Sequence, residues 1–354
     1  MKIAIVSPVI IPVPPVKYGG IQLIVAELAH GLAARGHQIT VFCSGESTIE
    51  GKNITRTETS PYPTFDHVEE NRIWEKKQLF SVIERQNEFD VIHLNYEPAV
   101  LNFEIEGKKI NLLDLFSVPV VLTFHNSTNV PEHLEYYKNN LLPPNNFPVF
   151  ISENHRSPLS FISNSKVIYN GIDVERFPFS AEKENYLLFL GRITPTKGIL
   201  EAISVSEKTN LPLIIAANID SSDREFYEKE VKPRIDGELI RYVGEADFSQ
   251  KVEYLKKASC LLFPILWDEP FGLVMVESLA CGTPVIAFKK GSVPEIIQDG
   301  INGFIVENVD EMAKAIEEIR TISAIECRKS VERKFSVERM VDEYENLFKS
   351  ALLK

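Results

Sequence analysis

Two glutamates lie eight residues apart in a stretch of the chain whose other residues are mostly apolar or small. The stretch is DEPFGLVMVESLACGTPVIAF, residues 268–288, and the glutamates are Glu269 and Glu277. A buried carboxylate is costly unless hydrogen-bond donors or a cation satisfy it. Helical spacing surrounds Glu277 with apolar side chains, so we expect this carboxylate to be partly buried. Sugar hydroxyls are suitable donors for it. Backbone amides or a basic neighbour in a purely structural role are the alternative.

The segment between the two glutamates is suited to presenting backbone amides to a ligand. Pro270 favours the start of a helix, and Gly272 lets another group approach the main chain closely. The first amides of a helix have no partner within that helix. We therefore expect the amides of Gly272, Leu273 and Val274 to point at a ligand.

Two cations lie in GRITPTKG, residues 191–198, directly after a predicted strand. Lys197 stands where the next helix begins, and a cation is mildly unfavourable at that end of the helix dipole. Arg192 lies five residues earlier in the same loop. A bound anion such as a diphosphate reconciles both cations with the helix terminus. Two solvated surface charges are the alternative.

Three further features bear on a phosphate-containing ligand. Gly19 and Gly20 precede a predicted helix in KYGGI, but the G-x-G-x-x-G dinucleotide motif is absent there. His125 ends the predicted strand PVVLTFHN. The chain has no D-x-D pair, the common means of holding a metal on a sugar nucleotide. We therefore expect no metal and no cofactor, with cations and helix amides neutralising the phosphates.

The elements that carry these residues alternate between strands and helices. Short apolar runs predict the strands, and they are IAIV, QITVFCS, FDVIHLN, PVVLTFHN, NYLLFLGRI, LPLIIAANI, ELIRYVG, SCLLFPIL, TPVIAF and NGFIV. Most of the intervals between them have the apolar spacing of amphipathic helices. Such alternation is typical of parallel sheets with helices on both faces.

The predicted fold class is therefore α/β, with two doubly wound, Rossmann-like domains facing across a cleft. A chain of 354 residues exceeds what one hydrophobic core usually supports. We place the domains at 1–174 and 184–335, with a linker between them and a last helix in 336–354. Ligands of open α/β sheets bind outside the carboxyl ends of the strands, which is where the candidate residues lie.

Composition and charge exclude several classes of function. The chain is 44% hydrophobic and 25% charged, as in a soluble globular protein. Its formal net charge of −12 disfavours a nucleic-acid partner and leaves at most a peripheral membrane contact. No apolar run reaches the roughly 18 residues of a membrane helix, and no secretory signal is visible. The four cysteines lack disulfide or zinc spacing. We expect a cytoplasmic protein.

Taken together, the motifs resemble the retaining family 4 glycosyltransferases of GT-B fold. The resemblance rests on YGGI, TFH, YNGID, LGRITPTKG and the segment from EPFGLVMVESLACGTPVIAF to GINGFIV, and it is densest over 186–306. It implies a hexosyl- or other glycosyltransferase that uses a nucleotide diphosphate sugar of the UDP or GDP class. The acceptor is a hydroxyl of a glycan, lipid or small metabolite, and transfer is metal-independent with retention of configuration.

The resemblance also implies roles for the charged residues. Arg192 and Lys197 bind the donor diphosphate. Glu269 accepts hydrogen bonds from the transferred sugar, and Glu277 accepts them from the ribose hydroxyls. His125 lies beside the reacting carbon, so the implied catalytic set comprises His125, Arg192, Lys197 and Glu269.

Other donor contacts are implied for residues that act largely through the main chain. The base meets the backbone near Val243, and Gly19 and Gly20 close over the donor. The amides after Phe271 contact sugar and phosphate. The implied donor-binding residues of this kind are Gly19, Gly20, Val243, Phe271, Gly272, Leu273 and Val274. The last helix, 336–354, is implied to return to the first domain.

Three other functions remain as alternatives. A nucleotide-sugar epimerase of the same fold would consume the donor without an acceptor. A non-catalytic sugar-nucleotide-binding protein would bind the donor and leave it intact. A nicotinamide oxidoreductase is weakened by the missing dinucleotide motif. The region 126–150 matches no pattern, and we assign it no role.

Overall fold

The computed structural model describes residues 1–17, 19–64, 68–97, 100, 103–105, 108–139 and 142–353. These residues form two compact units. The first unit comprises Met1–Gly171 and Val337–Lys354, and the second comprises Ile172–Ser336. Tyr18 of the KYGGI motif lies outside the described residues, as do residues 140–141 of the region that matched no pattern.

The first unit is built on a parallel sheet. The strands of the unit are β1 (Lys2–Val6), β2 (Gln38–Ser44), β3 (Ile54–Ser60), β4 (Val91–Leu94), β5 (Phe103–Ile105), β6 (Lys108–Ile110), β7 (Val120–Thr123), β8 (Asn146–Phe150) and β9 (Lys166–Val167). Within the described residues the sheet has the order β3-β2-β1-β4-β7-β8-β9, and all its pairings are parallel. Strands β5 and β6 form a separate antiparallel pair. The central strands are apolar and buried, as expected for a sheet covered on both faces.

The first unit also contains α-helices. They are α1 (Gly20–Ala34), α2 (Val68–Glu84), α3 (Pro131–Asn139) and α4 (Glu153–Arg156). In α1 the buried positions include Ile24, Val25, Leu28 and Leu32, which recur at three- and four-residue intervals. This is the spacing that predicted the helix from the sequence.

The second unit repeats the same architecture. Its strands are β10 (Leu187–Arg192), β11 (Leu213–Asn218), β12 (Ile240–Gly244), β13 (Cys260–Phe263), β14 (Val285–Phe288) and β15 (Gly303–Val306). They pair in parallel in the order β12-β11-β10-β13-β14-β15. The main helices are α5 (Ile199–Thr209), α6 (Phe248–Lys257), α7 (Leu273–Ala280), α8 (Val293–Ile296), α9 (Val309–Glu318) and α10 (Ala324–Lys334). The predicted class of two doubly wound, parallel-sheet domains is confirmed.

The C-terminal helix α11 (Val337–Ala351) belongs to the first unit. Its Tyr344 hydroxyl lies 2.9 Å from Thr123 Oγ1, and that oxygen lies 2.8 Å from His93 Nε2 on β4. Helix α11 also packs tightly on α1, where a Cβ at Gly31 would lie 2.4 Å from Val341 Cγ2. The helix therefore completes the core of the first unit. In the part of the chain that the structure describes, no helix is long and apolar enough to cross a membrane.

Candidate functional site

The loops that follow β10 and β13 are joined to each other. The two strands are paired in parallel at Leu187↔Cys260 and Leu188↔Leu261, so both loops leave the same edge of the sheet. The amide of Leu266 donates to the carbonyl of Thr196 at 2.9 Å. A Cβ at Gly198 would lie 1.9 Å from the carbonyl oxygen of Pro264, and Gly198 has a left-handed φ of 76°. Glycine is therefore required where the loops meet.

Two of the predicted site residues, Lys197 and Glu269, are brought into contact at this junction. Lys197 Nζ lies 2.5 Å from Glu269 Oε2, and their side chains are 18% and 15% exposed. The ammonium also lies 5.3 Å from the centroid of the Trp267 ring. Because an ammonium has three N–H donors, this pair can still donate to a phosphate oxygen. The Lys197 ammonium and the Glu269 carboxylate thus offer a ligand a hydrogen-bond donor and a hydrogen-bond acceptor side by side.

The main chain of Glu269 is fixed by a turn that the sequence did not single out. The amide of Ser292 donates to the carbonyl of Glu269 at 3.0 Å. A Cβ at Gly291 would lie 2.4 Å from both the nitrogen and the oxygen of Glu269. The amide of Gly291 in turn donates to Asp268 Oδ1 at 3.2 Å. These contacts hold the Glu269 side chain in its position beside Lys197.

Arg192 is the last residue of β10 and is held by an acidic side chain after the neighbouring strand. Its Nη1 lies 2.9 Å from Asp220 Oδ2, and Asn218 Nδ2 donates to the other oxygen of Asp220 at 2.9 Å. The Arg192 side chain is 36% exposed. A guanidinium has five N–H donors in a planar fork, and the contact with Asp220 orients that fork. Asp220 was not identified from the sequence.

Helix α7 begins where the sequence predicted amides for a ligand. Its N-cap Gly272 has a φ of 80°, and a Cβ there would lie 2.7 Å from Met275 Cε. The preceding Phe271 is buried against Phe335, and its carbonyl accepts a hydrogen bond from Ser292 Oγ at 2.6 Å. The anchored phenylalanine and the glycine set the direction of the first helical amides, those of Leu273 and Val274. These lie at the positive end of the helix dipole.

Glu277 lies on α7 and is only 4% exposed. Its Oε1 accepts a hydrogen bond from Lys251 Nζ on α6 at 2.6 Å. The same ammonium lies 5.4 Å from the ring centroid of Phe248 and 5.8 Å from that of Phe177. The basic neighbour that was the structural alternative for Glu277 is therefore present. A carboxylate has further acceptor positions, so this pair remains able to take hydroxyl donors.

Val243 lies on β12, which is an edge strand of the second sheet. Its side chain is exposed, and the next residue, Gly244, has a left-handed φ of 78°. An edge strand presents unpaired main-chain groups. A contact between the base and the backbone near Val243 remains a prediction.

In the first unit, His125 follows β7 and lies beside Asn95, which follows the paired strand β4. His125 Nε2 lies 3.2 Å from Asn95 Oδ1, and Asn95 Nδ2 donates to the carbonyl of Val6 at 3.3 Å. The second contact fixes the orientation of the amide, so Oδ1 accepts and His125 carries its proton on Nε2. Burial, and then the charge of His155, lower the pKa of His125 to about 3. The imidazole is neutral at physiological pH.

Glu97 was missed by the sequence interpretation, although it contacts His125 directly. The carboxylate is 3% exposed and accepts hydrogen bonds from the amides of His125 and Asn126 at 3.3 and 3.0 Å. It also accepts from Asn126 Nδ2 at 3.0 Å. Burial raises the pKa of Glu97, and these donors oppose the rise. An acidic residue two positions beyond the predicted strand FDVIHLN was the available signal.

Gly19 and Gly20 stand at the start of α1, as predicted. Gly19 has a φ of 150°, and a Cβ there would lie 2.7 Å from Pro15 Cβ. The packing of the preceding proline-rich loop is thus sufficient to explain a glycine at this position. A ligand contact at Gly19 and Gly20 remains a prediction.

The predicted residues therefore fall into two groups. Those on the second unit are Arg192, Lys197, Val243, Glu269, Phe271, Gly272, Leu273, Val274 and Glu277, and those on the first are Gly19, Gly20 and His125. Lys197 and Glu269 touch directly. Glu277 instead contacts Lys251, and Arg192 contacts Asp220.

Two protein-family models match the chain in succession. The model described as Glycosyltransferase Family 4 matches residues 18–176, and the one described as Glycosyl transferases group 1 matches residues 172–334. Between them they span nearly the whole sequence, and the second contains every candidate residue of the second unit.

Several known proteins are similar to the chain along most of its length. A phosphatidyl-myo-inositol mannosyltransferase of Mycobacterium leprae is 27% identical over 339 residues, which is 89% of this chain and 86% of the relative. The solved structure of sucrose-phosphate synthase from Thermosynechococcus elongatus has a TM-score of 0.81 at 21% identity, covering 99% of this chain and 98% of that one. The solved structure of Anabaena HepE in complex with UDP-glucose has a TM-score of 0.76 at 18% identity, covering 99% of this chain and 100% of that one.

Proposed function

The chain belongs to the family 4 glycosyltransferases and has their GT-B fold, and on that premise we propose that it uses a nucleotide diphosphate sugar as donor. The sugar passes to a hydroxyl acceptor without a metal ion and with retention of anomeric configuration. The donor is of the UDP or GDP class, in line with the UDP-glucose complex of the structurally similar HepE.

The contact between Lys197 and Glu269 carries this proposal. A phosphate–sugar junction has anionic oxygens on one side and hydroxyl donors on the other. The ammonium of Lys197 matches the phosphate, and the Glu269 carboxylate, 2.5 Å away, matches the hydroxyls. Lys197 lies in the loop after β10 and Glu269 in the loop after β13. The hydrogen bond from the Leu266 amide to the Thr196 carbonyl joins these two loops.

The remaining donor contacts extend from this junction. Arg192 donates to the diphosphate together with Lys197, and the amides of Leu273 and Val274 contribute the positive end of α7. Glu277, oriented by Lys251, accepts from the ribose hydroxyls. The edge-strand backbone near Val243 contacts the base.

These groups lower the barrier by stabilising the leaving group. The bond from the anomeric carbon to the phosphate oxygen breaks, and its electron pair remains on the nucleoside diphosphate. The acceptor oxygen forms the new bond on the same face, and its proton passes to the departing phosphate oxygen. Arg192, Lys197 and the helix amides are preorganised where the negative charge develops, which is where electrostatic stabilisation acts most strongly.

In the first unit we assign contacts with the transferred sugar to His125, Gly19 and Gly20. His125 acts as a neutral imidazole because burial keeps its pKa near 3. With Nε2 engaged by Asn95, Nδ1 is the nitrogen that accepts a hydrogen bond. His125 therefore serves as a hydrogen-bond acceptor and not as a proton donor.

A panel of nucleotide sugars tests the proposed function. Each compound is added to the purified protein, and both thermal stabilisation and release of nucleoside diphosphate are measured with and without acceptors. We expect one donor class to stabilise the protein and to release diphosphate faster with an acceptor. Stabilisation without release would favour a non-catalytic binding protein, and conversion of the donor sugar without an acceptor would favour an epimerase.

A further inference from the structure

The Glu97 carboxylate is a buried charge that none of the assigned donor contacts uses. It is 3% exposed, and the hydrogen bonds that it accepts come from uncharged N–H groups of the first unit. No lysine or arginine contact to Glu97 occurs within the described residues. A carboxylate kept in such a place is costly unless its donors are well placed. Its three bonds all go to two consecutive residues, His125 and Asn126.

The bonds of Glu97 fix the course of the main chain at those two residues. Its Oε2 holds the His125 amide at 3.3 Å, while Oε1 holds the Asn126 amide and Nδ2, each at 3.0 Å. One side chain thus restrains two successive peptide N–H groups. The direction in which His125 leaves the backbone depends on both of them.

Besides the Glu97 carboxylate, neutral side chains also hold the segment formed by His125 and Asn126. Asn95 accepts from His125 Nε2. His155 Nε2 lies 2.7 Å from the carbonyl of Asn126, and its Nδ1 accepts from the Ile151 amide at 3.4 Å. His155 therefore donates through Nε2 to the Asn126 carbonyl. Of the five hydrogen bonds described here to His125 and Asn126, Glu97 accepts three, and it is the one acid among these partners.

We propose that Glu97 is a positioning residue, which holds the His125–Asn126 backbone so that His125 meets the transferred sugar. This inference rests on the proposed function, in which His125 contacts the sugar. Glu97 itself touches neither donor nor acceptor. Its contribution is therefore mainly to turnover, because the assigned phosphate and nucleotide contacts of the donor belong to the second unit.

The substitution Glu97→Gln tests this role with little change of shape. The amide oxygen of glutamine can keep the two bonds from Asn126, but its NH₂ group then faces the N–H of His125 and cannot accept from it. We expect kcat to fall about 10- to 100-fold, the cost typical of a small misplacement in a catalytic site. The KM for the donor should change less than about threefold, because Lys197 and Glu269 are untouched.

A matched control and a second variant complete the test. Glu75→Gln removes another buried carboxylate of the first unit, and its kcat and KM should stay within about twofold of wild type. Glu97→Asp keeps the charge but shortens the reach, so its kcat should fall at least about fivefold. That variant serves if Glu97→Gln does not fold.

The outcomes separate this inference from the proposed function. A lower kcat with an unchanged donor KM in a Glu97 variant supports the positioning role. Transfer by the wild type together with an unchanged kcat in the folded Glu97 variants would overturn the role and leave the proposed function intact. An equal loss of kcat in Glu75→Gln would also overturn it. Absence of any transfer by the wild type would overturn both.

Discussion

The two candidate sites balance their charges in different ways. In the second unit the acidic side chains of Glu269, Glu277 and Asp220 each face a cation, in the pairs Lys197–Glu269, Lys251–Glu277 and Arg192–Asp220. In the first unit the Glu97 carboxylate is satisfied by uncharged amides, and its neighbour His125 is neutral. Paired charges suit a ligand that brings both phosphates and hydroxyls, whereas neutral donors and acceptors suit an uncharged sugar.

The histidines sharpen this contrast. All seven histidines of the chain precede residue 156, so all belong to the first unit, and the second unit has none. Three of them, His93, His125 and His155, have pKa values lowered to between about 3 and about 4, with burial the largest cause in each. Acid therefore acts on the two units unequally.

The largest expected effect is selective destabilisation of the first unit by acid. From about pH 6.5 down to pH 5 the unfolded chain protonates His93, His125 and His155 while the folded unit does not, so these histidines lower the free energy of unfolding as pH falls. Burial raises the pKa of Glu97 and that of Glu75, the latter to about 7, so these two acids oppose the loss. We expect a loss of about 2 kcal/mol for each of these histidines by pH 5. Hydrogen exchange at pH 7 and pH 5, corrected for intrinsic rates, measures this in β4 and β13.

The control for acid sensitivity is His155→Gln, which should show a smaller loss in the first unit between pH 7 and pH 5. Equal destabilisation of both units, or a first unit indifferent to this change of pH, would contradict the assigned neutral histidines.

Removal of the Lys197 ammonium should have the largest effect on activity. Under the proposed mechanism, Lys197→Ala deletes a cation at the departing diphosphate and leaves Glu269 without its partner, so kcat/KM should fall by roughly two or more orders of magnitude. Steady-state kinetics with the donor found in the panel measures it. Lys208→Ala, which removes an exposed lysine paired with an exposed aspartate, should stay within about twofold. Near wild-type turnover of Lys197→Ala would remove Lys197 from the mechanism.

Much of the fold could be predicted because the central strands are continuous apolar runs. PVVLTF and CLLF are of this kind and correspond to β7 and β13. Strand β3, ITRTETS, was not predicted because it lies at the edge of its sheet and is mostly polar. Apolar runs identify strands that are covered on both faces, and an edge strand does not need them.

The sequence singles out candidate site residues one by one, but it does not give the pairs that they form. Lys197 and Glu269 are far apart in the chain and meet only because β10 lies beside β13. Lys251 is one of several lysines in QKVEYLKK, and nothing in the sequence distinguishes the one that faces Glu277. Strand order and helix rotation decide such contacts, and a local sequence pattern specifies neither of them.

A smaller effect is expected from Lys251→Met. Methionine keeps much of the apolar stem between Phe177 and Phe248 but leaves Glu277 buried without the cation that orients it. The affinity for the donor nucleotide should fall about tenfold, because the proposed acceptor of the ribose hydroxyls is no longer held in place. Calorimetric titration with UDP and GDP measures this.

The matched control for Lys251 is Lys256→Met on the same helix, whose partner Glu253 is exposed. It should bind the nucleotide as the wild type does. Tighter binding by Lys251→Met would show that Lys251 competes with the ligand for Glu277 and does not prepare it.

The smallest effect is expected from Val243→Ala. If only the backbone of β12 contacts the base, truncating the exposed side chain of Val243 should change nucleotide affinity by no more than about twofold. The same titrations report this. A loss of tenfold or more would mean that the side chain itself contacts the donor.

Hydrogen exchange with and without a bound nucleotide sugar tests the donor site most directly. We predict slower exchange in residues 192–198 and 268–277 of the second unit when the active donor is present. Binding of that donor with unchanged exchange in both segments, and protection elsewhere, would contradict the assignment of the donor site.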